Sequence, residues 1–131
     1  QLLVEDEVME LEELRAAAIK FLDNGGGSGE DKCDYCKGAR DPKSSDNPDK
    51  AIISLKNERE TTYATYISVQ NELVAAYTSL RNKRAEELFG ISYTEMQKNY
   101  KDVNWPGSKL KLKENITQIK LEYPQKLSEV Q

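Results

Sequence analysis

Apolar positions along this chain recur mostly at steps of three and four, the period of helices that bury one face. From about Leu2 to Asp23, the residues Val4, Val8, Leu11, Leu14, Ala18 and Phe21 make one such stripe. Glu5, Asp6, Glu7, Glu10, Glu12 and Glu13 crowd its first half, and Arg15 and Lys20 fall in its second. Acids at the positive end of the helix macrodipole and bases at the negative end both favour a helix over 2–23. Asn24-Gly25-Gly26-Gly27-Ser28-Gly29 then ends it, because glycine takes left-handed dihedrals without steric cost and so glycine-rich a run holds no regular structure. The run lacks the Lys-Ser/Thr of a phosphate-binding loop. A polar loop over 24–46 is expected.

Asn47-Pro48-Asp49 reads as a cap, a first helical residue and a favourable acid, and neither glycine nor proline recurs before Gly90. Ile52, Leu55, Thr62, Tyr66, Val69, Leu73, Ala76 and Leu80 keep heptad spacing, and Ile53, Tyr63, Ile67, Val74, Tyr77 and Leu88 form an adjoining stripe. This predicts a helix over 48–89, about 60 Å long at 1.5 Å per residue, which would touch more than one shorter partner. Ser92-Tyr93-Thr94-Glu95 matches a capping box and predicts a short helix over 93–101. Val103-Asn104-Trp105-Pro106-Gly107 is a turn carrying the only Trp, expected to plug the end of a bundle. Leu112, Ile116, Ile119 and Tyr123 predict a helix over 109–123, which Pro124 breaks before a tail over 124–131. With no convincing strand and no repeat, the expected fold is all-α, a single-domain bundle of three or four helices with one overlong central helix.

Composition removes most enzyme classes. The 131 residues include no His, so no imidazole nucleophile relay, proton shuttle or His-containing metal site can be built. The inward stripes are aliphatic and Tyr, which predicts no haem or di-iron cofactor. A net charge of -4 disfavours a nucleic-acid or anionic-membrane partner for the chain as a whole. Charge is uneven: 9 acidic and 2 basic residues over 1–31, 7 and 7 over 32–80, and 7 and 10 over 81–131. Opposite ends of opposite sign predict internal complementarity if the first helix lies against the last. No apolar run reaches the 18 residues of a membrane span, so any membrane association is peripheral. A start at Gln1, without a basic n-region and apolar h-region, reads as a processed end or the visible part of a longer chain.

Cys33-Asp34-Tyr35-Cys36 is the one recognisable short motif. A structural zinc site needs four ligands, so this C-x-x-C would need a second copy from another chain. A thioredoxin-like redox pair sits where a strand runs into a helix, which Gly-rich residues before it and Lys37-Gly38-Ala39-Arg40-Asp41-Pro42 after it do not suggest. The third reading is a local Cys33–Cys36 disulfide or two idle thiols; a disulfide is preferred, because thiols this close on an exposed loop oxidise readily outside a reducing cytosol. Asn115-Ile116-Thr117 satisfies the glycosylation pattern, but on a predicted helix it is expected to stay unmodified.

An overlong amphipathic helix, uneven charge and absent catalytic groups together point to a non-catalytic docking subunit that stabilises a larger protein assembly. Trp105, Tyr93, Lys109, Lys111 and Lys113 are its candidate contact residues, although the three alternating lysines do not share one helical face. Within that class, Trp105-Pro106 leading into the Leu/Lys-rich segment Lys109 to Lys113 resembles a Trp-Pro helix start in the extrinsic Q-type four-helix proteins of photosystem II. Small size and an all-helical plan without His are similar too. The likeness covers about a dozen residues, and in that family the Trp-Pro comes early in the bundle, whereas here it comes near the end. It implies a thylakoid-lumen protein that shields the manganese cluster's surroundings without binding manganese. The alternatives are a secreted or surface binding module with a loop disulfide, and a redox or zinc-linked protein acting through the C-x-x-C. An oxidising, non-cytosolic compartment suits the first two.

Overall fold

The computed structural model describes residues 2–5, 11–56 and 63–130. Four helices dominate: α1 (Leu11–Leu22), α2 (Tyr63–Phe89), α3 (Tyr93–Lys101) and α4 (Lys109–Glu122). The overlong central helix is α2, whose 27 residues span about 40 Å at 1.5 Å each. The fold is mostly α-helical, with the C-x-x-C in the loop that follows α1, just after one 3-10 turn at Gly29–Asp31.

Three short strands join the helices: β1 (Leu2–Glu5), β2 (Ile53–Lys56) and β3 (Leu127–Val130). They form a parallel sheet in the order β1-β2-β3, with Leu2 opposite Ile53 and Ile53 opposite Leu127. Each parallel step needs a crossover, supplied first by α1 and the loop, then by α2, α3 and α4. Three sequence expectations are corrected here. Of the helix expected over 2–23, Leu11–Leu22 is helix and Leu2–Glu5 is strand; Val8 lies outside the described residues. Of the helix expected over 48–89, Tyr63–Phe89 is helix and Ile53–Lys56 is strand; Thr62 lies outside the described residues. The tail over 124–131 contains β3. In each case a run of a few apolar residues fits strand and helix equally, and hydrogen bonds to a distant partner decide between them. Asn47 does accept from the Lys50 amide, at 3.1 Å, as a cap would, but only a turn follows.

Helix ends obey local chemistry. Gly25 and Gly90, at φ 66° and 72°, follow the ends of α1 and α2 in left-handed conformations that suit glycine. Ser92 and Ser108 accept from the Glu95 and Lys111 amides at 3.2 and 3.3 Å, capping α3 and α4.

The core lies in two clusters. The larger packs Leu14, Ala18, Phe21 and Leu22 of α1 against Val69, Leu73, Ala76, Tyr77 and Leu80 of α2, with Ile53 of β2 and Tyr123 closing it. The smaller joins Ala85 at the end of α2 to Tyr93 and Met96 of α3 and to Leu112, Ile116 and Ile119 of α4, with Trp105 packed against it. Trp105, partly buried, lies against this cluster. Of the tyrosines in the α2 stripes, Tyr77 is fully buried and Tyr66 half-buried, whereas Tyr63 is 78% exposed. The partner of α1 is chiefly α2, and Arg15 meets Glu72 across that seam at 2.7 Å. Among the described residues, the ion pair that α1 makes is this one with α2; Asp6, Glu7 and Glu10 of the acidic first segment lie outside the described residues.

Candidate functional site

α4 carries apolar side chains on two faces. Leu112, Ile116 and Ile119 point into the smaller core, while Leu110 and Leu121, each 71% exposed, stand on the outside with Thr117 between them. Leu110, Glu114, Thr117 and Leu121 step by four, three and four, so they line one helical row. That row floors an open groove of about 610 Å³, bordered by Lys113, Glu114, Gln118 and Glu122. Tyr35 of the C-x-x-C loop is its remaining wall.

Tyr35 reaches α4 because the loop is tied down on both sides. Cys33 and Cys36 are joined in a disulfide, 2.07 Å between sulfurs, and both are almost fully buried. Arg40, at a left-handed φ of 57°, donates to the carbonyls of Cys33 and Cys36, each at 2.9 Å. Buried Asp23 receives the Lys37 amide at 3.1 Å and the Tyr123 hydroxyl at 2.7 Å, so one carboxylate links loop, α1 and α4. Neighbouring Asn24 donates to the carbonyls of Asp41 and Ser45 and accepts from the Asp41 amide. Such satisfaction is what allows these polar groups to be buried.

On the α4 side, the Tyr35 hydroxyl donates to the Glu122 carbonyl at 2.5 Å, and its ring meets Tyr123 edge-on at 5.3 Å. The Arg84 guanidinium lies 4.9 Å from the Tyr35 ring centre and pairs with Glu122 at 2.5 Å. Arg81 donates twice to the Tyr123 carbonyl, at 3.0 and 2.8 Å. Partial burial, reinforced by the charge of Glu122 and opposed by Arg84, pushes the Tyr35 hydroxyl up to about 12. Burial and then the hydrogen bond to Asp23 push Tyr123 up further.

The candidate contact residues do not act as one patch. Tyr93 is 3% exposed and belongs to the core, a correction that follows from its place on the inward face of α3. Lys109 is committed to the end of α3, where its ammonium donates to the carbonyls of Asn99, Tyr100 and Asp102 at 2.8, 2.6 and 2.5 Å. Trp105 and Lys111 border a separate cavity of about 200 Å³ with Phe89, Met96 and Asn115. Lys113 alone reaches the α4 groove. Sequence reading passed over Tyr35, Leu110 and Leu121; the two leucines were visible as apolar positions left over once the inward stripe of α4 is assigned.

Among the described residues, no group of three or more His, Cys, Asp or Glu side chains is placed to hold a metal ion, and no helix is long and apolar enough to cross a membrane. Comparison of the chain with family models, with curated proteins and with solved structures gives no match.

Proposed function

We propose that this chain is a non-catalytic docking subunit that binds another protein of a larger assembly along the outer face of α4. The observation that carries this reading is the pair of exposed leucines, Leu110 and Leu121, at the two ends of an outer row that also holds Glu114 and Thr117, on a helix whose inner row already fills a core. The row extends about 16 Å along the axis, at 1.5 Å per residue over eleven steps. Its border mixes Lys113 with Glu114 and Glu122. An amphipathic helix with apolar residues at steps of three and four and both signs of charge at its edges fits that shape and chemistry. A photosystem II subunit of the thylakoid lumen is one member of this class, and the parallel sheet sets the chain apart from an all-helical plan.

The disulfide lends support to a second reading, a secreted or surface module, which shares the docking chemistry but differs in compartment. With the two sulfurs bonded to each other, neither is a thiolate available to zinc.

The test compares the native chain with a Leu110→Glu, Leu121→Lys double variant expressed in its place. Both new charges suit their ends of the helix dipole, and exposed positions tolerate change within about 0.5 kcal/mol, so the variant should fold. Under native separation the unaltered chain is expected to travel with a larger complex and the variant near its own 14.9 kDa. Co-migration of both, or of neither, contradicts docking through this face.

A further inference from the structure

Seven of the eight residues lining the α4 groove belong to α4 itself, and the eighth is Tyr35. Tyr35 sits inside the four-residue loop that the Cys33–Cys36 bond closes. That wall is therefore carried by a loop closed by a covalent bond that reduction can break. Three contacts hold the ring against α4: the hydroxyl on the Glu122 carbonyl, the Arg84 guanidinium over its face and the edge of Tyr123. Beyond Cys36 in the chain, the backbone is pinned to the end of α1 by Lys37 on the Asp23 carboxylate and Gly38 on the Asp23 carbonyl, at 3.1 and 2.8 Å. The bond lies between these two sets of contacts, and Arg40 holds the carbonyls of both its cysteines.

We propose that the Cys33–Cys36 disulfide is a redox latch on the α4 groove: closed, it holds Tyr35 as the groove's second wall, and opened by a dithiol it releases that wall from α4. The proposal deepens the docking reading by giving that face a regulator, and it rests on that reading for its biological meaning. In the step itself, a thiolate of the dithiol attacks one cysteine sulfur and the Cys–Cys bond breaks as a mixed disulfide forms. The second thiol of the reductant then displaces the remaining cysteine. Two electrons and two protons pass to Cys33 and Cys36, which become thiols, and the reductant becomes a disulfide. Cys33 and Cys36 are 2% and 3% exposed, so attack waits on local opening of the loop. Reduction is expected to be slow compared with that of a solvent-exposed disulfide.

Amide hydrogen exchange on the full chain tests the latch in three forms: oxidised, reduced with excess dithiothreitol and alkylated, and as the Cys33→Ser, Cys36→Ser variant. Exchange at Lys37, Gly38, Arg40 and Asp41, and at Glu122 and Tyr123 in the last turn and cap of α4, is expected to rise at least tenfold in both latch-open forms. Amides around Leu73 and Tyr77 in α2 are expected to stay as they were. Unchanged exchange at Glu122 and Tyr123 would overturn the proposal, and so would acceleration throughout α2, since the bond would then support the whole fold. A Tyr35→Ala variant with the disulfide intact separates the wall from the bond. It is expected to loosen the end of α4 as reduction does, and the absence of that effect also overturns the latch. None of these measurements needs a partner, so the latch can fail while the Leu110, Leu121 experiment succeeds, and the reverse.

Discussion

At the scale of single residues, burial pushes the hydroxyls of Tyr35 and Tyr123 well up, so the fold favours both phenols in the neutral form. Tyr35 ionises at about 12 in the folded chain, and burial is the main cause. In the unfolded chain a tyrosine ionises near 10. A raised folded pKa means that the associated stability is fully present below about pH 10 and is lost as pH rises from about 10 towards 12. The denaturant midpoint is accordingly expected to fall across that window. A Tyr35→Phe chain, which has no hydroxyl to ionise, should show a shallower fall, although it also loses the bond to Glu122 and starts from a lower plateau. Chemical denaturation of both chains between pH 8 and 12 checks this; parallel curves would remove Tyr35 from the explanation. Nothing local marks Tyr35 for this role, because the carbonyl that receives its hydroxyl is 87 residues away.

At the scale of elements, the starts of α3 and α4 were legible, and the strands that stand where the first two helices were expected to begin were not. Ser92, Ser108 and Gly90 act through amides and carbonyls within a few residues, so α3 and α4 start at the residues their caps predict, Tyr93 and Lys109. Leu2–Glu5, Ile53–Lys56 and Leu127–Val130 are four residues each, and each exists because the others do. Periodicity in so short a window cannot separate strand from helix, and Leu55 happened to fall on the heptad, and Ile53 on the adjoining stripe, of the helix that follows. Lys109 illustrates a cap written across elements. Its ammonium reaches three carbonyls at the end of α3, where the helix dipole is negative. Lys109→Ala is expected to destabilise the chain by about 1–2 kcal/mol and to loosen the join between α3 and α4. Thermal unfolding together with exchange at Lys101 and Asp102 measures both effects. A variant as stable as the original would show the three contacts to be idle.

At the scale of the whole molecule, two cores share α2, and α4 closes the smaller one while leaving Leu110 and Leu121 exposed on its outer row. The helical class and the overlong central helix followed from the spacing of apolar residues, and the disulfide from two cysteines three apart. The groove did not follow, since it needs α4 and the C-x-x-C loop brought together by Asp23, Arg84 and Tyr123. Two exposed leucines on one row of a helix that has already buried its other row are the feature a partner would explain. Hydroxyl-radical footprinting of Leu110 and Leu121, in the chain alone and in the assembly drawn from its native source, reads that face directly. Docking along α4 predicts that both leucines are protected in the assembly while exposed Val103, on the turn after α3, stays as reactive as in the free chain. Equal labelling of Leu110 and Leu121 in the two states would contradict it.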